Sequence, residues 1–180
     1  GAYVLRLSAS DGALTGSDDV SVTITPSGGD GTSTSFSAVQ DAYTENGKNV
    51  NNTVLRLENT SRKRISYLQF DTSALNGSAT SATLRITQSQ DLSSGIKTVR
   101  VFQTTNNWSE STVTSANAPA KGAQVASYTG SISSGMVLPF DVSSAIGGPG
   151  IYSFIVEFGP DGRDVTFASS EHATASLRPS

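Results

Sequence analysis

Three arginines stand at the centre of short apolar runs: Arg56 between Leu55 and Leu57, Arg85 between Leu84 and Ile86, and Arg100 between Val99 and Val101. Successive side chains of a strand point to opposite faces, so each arginine is expected to leave the core that its neighbours enter. If the three strands share a sheet, the guanidinium groups form a cationic stripe. Tyr67 and Gln69 join it from the alternating phase of Ile65 to Asp71, and Arg62, Lys63 and Arg64 extend it at one rim. A planar guanidinium meets a carboxylate through two parallel hydrogen bonds, which suits a polyanionic sugar chain built of uronic acids. The same arginines can instead pair across strands with Glu58 or Glu157, each pair contributing only a few tenths of a kcal/mol.

A second set of residues has the chemistry of a hard-cation site. Asp41 and Glu171 bracket the main run of strand-like sequence, and Asn46, Asn49 and Asn51 follow the first of them closely. If the first and last strands pair, these carboxylates and amides converge on a structural calcium ion, Ca2+, which takes oxygen ligands in irregular number. The plainer alternative has Asp41 capping a turn and Glu171 paired with Arg64. Aromatic rings give another route to sugars, by stacking on the CH face of a pyranose. Tyr43 is a candidate at the same end as the asparagines, and Trp108, the sole tryptophan, is either a platform at a loop tip or a buried corner.

Catalysis has little to work with. The chain has no cysteine and one histidine, His172, so thiolate and multi-histidine metal sites are excluded. Only five glutamates occur, none in a recognisable motif, and no enzymatic activity is expected. The formal net charge of −3 leaves no basic footprint for nucleic acid. No apolar run approaches the roughly 18 residues of a membrane span.

The elements that must position these groups are strands. Ser, Thr, Gly and Asn fill 76 of 180 positions, a composition of short strands joined by polar turns. Apolar bursts recur at Val54 to Leu57, Ile65 to Phe70, Leu84 to Ile86, Val99 to Phe102, Val125 to Tyr128, Val137 to Val142, Ile151 to Phe158 and Val165 to Ala168. None holds a 3.6-residue period. The expected fold is therefore all-β: a two-sheet antiparallel β-sandwich, jelly-roll-like, over residues 36–180. Leu84, Ile86, Val99 and Val101 should point inward, with Leu68, Phe70 and alternate residues of Tyr152 to Phe158. Residues 27–35 carry no large apolar side chain and read as a flexible linker. Residues 1–26 read as two strands around an Asp11-Gly12 turn, the closing hairpin of a preceding domain. Strand-like sequence from the first residues onward implies a chain cut from a longer one. Its lack of cysteine with abundant Ser, Thr, Gly and Asn suits a bacterial exported module, secreted or cell-surface.

Several collinear segments carry a resemblance. They are Gln40-Asp41-Ala42-Tyr43, Asn51 to Leu57, Arg64 to Asp71, Ser81 to Ile86, Asn107 to Thr114 with Asn117-Ala118-Pro119, Phe140-Asp141-Val142, and Phe167 to Glu171. Together they resemble the DNRLRE-type domain, part of which is carbohydrate-binding module family 96, and the first 26 residues resemble the end of a bacterial immunoglobulin-like repeat of the polycystic-kidney-disease type. The resemblance implies a β-sandwich that is noncatalytic, probes an acidic polysaccharide such as alginate or another uronate or sulfated algal glycan, and serves a parent polysaccharide-degrading enzyme in the same chain, such as a polysaccharide lyase. It also implies that the Trp108 segment is a structural corner with Glu110 capping the next turn. The chain departs from the family at Ser170, where a basic residue is usual. A monomer is expected. The rival expectation is a structural or adhesive spacer of a bacterial surface protein.

Overall fold

The structure, a computed structural model, describes residues 2–10, 15–23, 33–160 and 162–180. Two compact units divide it, Gly1–Ser33 and Thr34–Ser180. In the first, strands β1 (Ala2–Ser10) and β2 (Thr15–Thr23) form an antiparallel hairpin with Leu5 opposite Val20 and Tyr3 opposite Val22. The expected Asp11-Gly12 turn and linker positions 27–32 lie outside the described residues. Ser33 to Ser35 are exposed and irregular.

The second unit holds ten strands: β3 (Ala38–Glu45), β4 (Lys48–Val50), β5 (Val54–Asn59), β6 (Lys63–Asp71), β7 (Thr83–Leu92), β8 (Ile96–Thr104), β9 (Gln124–Ser131), β10 (Val137–Asp141), β11 (Ile151–Phe158) and β12 (Val165–Ala168). Each apolar burst in the sequence lies within or across one of them. Among the described residues the helical content is one 3-10 turn, Ala175–Leu177.

All pairings are antiparallel, in the order β10-β7-β12-β5-β6-β11-β8-β9, with β3 added on β6 and β4 on β3. The ladder between β5 and β6 is short, Glu58 opposite Arg64 and Asn59 opposite Lys63. There the sheet folds over on itself, giving one layer of β10, β7, β12 and β5 against another of β4, β3, β6, β11, β8 and β9. This is an all-β sandwich. Between the layers, Leu55, Leu57, Leu84, Ile86, Leu138, Phe140, Val165 and Phe167 meet Leu68, Phe70, Val99, Val101, Phe154, Val156 and Phe158. These are the alternate positions that the strand period assigns to one face. Burial of each such side chain contributes about 1.5–3 kcal/mol.

A second, smaller cluster covers the outer face of the larger layer. Ala42, Tyr67, Val113 and Ile155 are buried there, with Ile65, Phe102, Trp108 and Ala118 packed against them. Residues 105–123, which lack strand periodicity, supply Trp108, Val113 and Ala118 and so form a lid on the sheet. The chain end closes another edge: the Ala38 amide donates to Pro179 O at 3.2 Å, and Arg85 and Ser180 exchange backbone hydrogen bonds of 2.7 and 3.2 Å.

The first and last strands do not pair, contrary to expectation. β3 has β4 and β6 as neighbours, whereas β12 lies between β5 and β7. The turn after β12 still reaches β3, because the Ser170 amide donates to Asp41 Oδ2 at 2.6 Å.

Candidate functional site

The expected arginine stripe is not assembled. Arg56 on β5 and Arg85 on β7 belong to the smaller layer, and Arg100 on β8 to the larger. Each does leave the core, as the period requires, since its flanking residues are buried between the layers. Outward from opposite layers means opposite surfaces, and strand order cannot be read from alternation.

Arg56 is also engaged by acids. Its guanidinium pairs with Asp91 and Asp164. Arg64, expected on a rim, is only 4% exposed and binds Glu45 at 2.8 Å, Glu58 at 3.1 Å and Asp164 at 2.8 Å. It is the second residue of β6, sharing parity with the buried Ser66, Leu68 and Phe70. Arg62 and Lys63 are exposed, the former 3.7 Å from Glu45. Burial alone would lower the Arg64 pKa, and its hydrogen bonds to Glu45 and Asp164 more than reverse this. Burial pushes Asp164 up, while the hydrogen bonds from Arg56 and Arg64 pull it below the ordinary carboxylate value of 3.8. A depressed folded-state pKa gives stability that is present above 3.8 and lost as pH falls through the folded value. Urea denaturation should therefore show weakening on acidification below about pH 4, and Asp164→Asn should make that decline shallower. An unchanged slope in the variant would remove Asp164 from the account.

Tyr43, Tyr67 and Gln69 are not available to a ligand either. All three are buried, Tyr67 to 3% exposure. Tyr67 and Gln69 do face away from the main core, but the lid covers them. Trp108 packs on Tyr67 with ring centroids 5.8 Å apart and donates from Nε1 to Ser153 Oγ at 3.1 Å. Gln69 Nε2 donates to Ser153 Oγ and Asn106 O. Among the described residues no hydrogen bond joins the Glu110 carboxylate to the following turn, which it was expected to cap; instead it accepts from the Asp41 amide at 3.1 Å.

Beside the lid, part of the outer face stays open. Across the strands Glu157, Arg100 and Ser127 stand in register, and Thr98 faces Thr129 in the next row with hydroxyls 3.1 Å apart. Lys121 Nζ takes the Glu157 carboxylate at 2.6 Å and lies 4.8 Å from the centre of the Phe102 ring. Glu157 is thus occupied, and among the described residues Arg100 forms no ion pair. Its guanidinium extends over Gly159, where a Cβ would stand 3.4 Å from Nη2. Sequence reading named Arg100 but not Lys121, which lies in an Ala-Lys-Gly run without periodic pattern.

The acidic and amide residues gather at the end of the sandwich near β4. Asn49, Val50, Asn51, Asn52, Thr53, Ser111 and Glu171 line an open cleft of about 710 Å³. Asp41 lies fully buried at 0% exposure, bonded to the two segments that form the cleft wall, 110–111 and 170–171. Burial first, then the charges of Glu171 and Glu110, push its carboxyl up to about 7, against hydrogen bonds from Ser170. Asn46 is elsewhere. It sits in the β3–β4 turn at φ 47°, its Oδ1 accepting from the Lys63 amide at 3.0 Å. His172 only closes a local turn with Thr174.

A ten-stranded sandwich carrying an open polar surface with an unengaged guanidinium is the build of a small binding module. The chain belongs to carbohydrate-binding module family 96, whose family model matches residues 32–178. No curated protein was found to match the sequence. Family membership makes polysaccharide the ligand class. Among the described residues no helix is long and apolar enough to cross a membrane.

Proposed function

We propose that this module is a noncatalytic adaptor that holds a parent polysaccharide-degrading enzyme, such as a polysaccharide lyase, against an acidic polysaccharide, with alginate as first candidate. The reading extends to a bacterial protein, secreted or at the cell surface, with residues 27–35 as linker from an immunoglobulin-like unit and the module acting as a monomer. The observation that carries it is Arg100. It is the one arginine of the three that combines an open sheet surface with neighbouring hydroxyls, on Ser127, Thr98 and Thr129, and with an opposing acid already neutralised by Lys121. Charged and hydroxyl donors in one patch match a uronate chain, which presents carboxylates between hydroxyls.

Affinity electrophoresis in gels containing alginate tests this. Arg100→Ala should weaken retardation about tenfold or more, since a hydrogen bond to a charged group contributes about 1.5–3 kcal/mol. Arg85→Ala, on the opposite layer, should run like the parent protein. Retardation should also fall as salt rises, through screening of exposed charge. Equal loss in both variants would show that net charge, not this patch, is responsible. A parent protein that passes alginate gels unretarded, as it passes gels of neutral glucan, would favour the structural spacer, a reading supported by the consumption of Arg56 and Arg64 in an internal ion cluster.

A further inference from the structure

We propose that Asp41 anchors a calcium site joining the first strand of the sandwich to the turn that follows its last. Asp41 Oδ2 has a partner, the Ser170 amide at 2.6 Å, but Oδ1 is buried with no hydrogen-bond partner at all. A carboxylate oxygen taken from water and left without a donor is relieved either by taking up a proton or by a cation that displaces that proton. No protein cation does so. Among the described residues, Asp41, Glu110 and Glu171 form no ion pair with any lysine, arginine or histidine. Elsewhere the buried charges are met, Arg64 by three acids and Lys97 Nζ by the carbonyl oxygens of Ser93, Ser94 and Gly95, whereas Asp41 Oδ1 is met by nothing.

The donors are of one chemical kind. Carboxylates of Asp41, Glu110 and Glu171 and the amides and hydroxyls of the adjoining cleft are all hard oxygens. Cysteine is absent from the chain, and the lone imidazole is turned to Thr174. That set suits calcium rather than zinc or copper, and the loop-borne amides suit an ion that accepts irregular coordination better than magnesium. Among the described residues no three carboxylate, histidine or cysteine side chains are grouped at metal-binding spacing. Binding therefore requires the exposed Glu171, now hydrogen-bonded to Ser170 Oγ at 2.7 Å, to turn toward Asp41. Such an ion would tie together three segments distant in sequence: β3, the corner at 110–111 and the turn at 170–171.

Calorimetric melting of the full chain, stripped with a chelator and titrated with calcium or magnesium chloride, tests the site. Calcium at about a hundredfold excess over its Kd should raise the Tm by about 5–10 °C, with one ion bound per chain by titration calorimetry and a smaller response to magnesium. Asp41→Asn keeps the acceptor for the Ser170 amide while removing the buried charge. It should melt no lower than the stripped parent and should not respond to calcium. Glu171→Gln should shift the calcium response to higher concentration, and it provides the test if the Asp41 variant does not fold. A parent protein indifferent to calcium, or an Asp41→Asn or Glu171→Gln variant that responds as the parent does, would overturn the assignment.

Discussion

Replacing Arg64 with leucine is expected to cost the sandwich about 3–5 kcal/mol, the usual effect of removing one partner from a buried ionic cluster. The guanidinium is 4% exposed and joins acids from three places in the chain: Glu45 on β3, Glu58 on β5, and Asp164 just before β12. It stands where the sheet folds from one layer to the other, at the two-pair ladder of β5 and β6. Leucine leaves the three carboxylates facing each other across the fold-over with only Arg56 to offset Asp164. Equilibrium denaturation in urea reads the loss as a lower midpoint at unchanged slope. Arg56→Leu, whose side chain is 23% exposed and whose partner Asp91 is mostly in water, should cost much less. A loss below about 1 kcal/mol for Arg64→Leu would show that the cluster is incidental to stability.

Trp108→Ala is expected to destabilise by about 3 kcal/mol. The indole is the largest side chain by which the lid holds the outer face of the larger layer, against Tyr67, and its Nε1–H is a donor to Ser153 Oγ. Truncation leaves a void over Tyr67 and removes a donor from the polar group shared by Ser153 and Gln69. Hydrogen exchange should localise the damage, with amides of 105–123 and of the covered stretch of β6 losing protection before those of the central core. Trp108→Phe should recover most of the packing but not the hydrogen bond. If alanine costs less than 1 kcal/mol and leaves exchange unchanged, Trp108 is a surface residue in energetic terms.

Strand positions were legible because each half-buried strand imposes a two-residue period that Leu55-Arg56-Leu57 or Tyr152 to Phe158 displays openly. The facing of Arg56, Arg85 and Arg100 followed from the same rule. What the rule omits is which strands are neighbours, and Arg100 fell on the opposite layer for that reason. Tyr67 and Gln69 had the right phase and the wrong environment, since the segment that covers them has no period to announce it. Arg64 carried a readable signal that was outweighed by its place in the basic run Arg62-Lys63-Arg64: it shares parity with Ser66, Leu68 and Phe70. Asp41 stands out in the sequence by its place at the start of the strand series; the first and last strands do not pair, and what reaches it is the Ser170 amide, one residue before Glu171. Glu110 was missed as its neighbour because the contact spans 69 residues.

The backbone bond from Ala38 to Pro179 has an architectural consequence. A bead that lengthens a filament takes the chain in at one pole and releases it at the other. Here the point of arrival and the point of departure touch, so anything fused beyond Ser180 starts out beside the place where the chain came in.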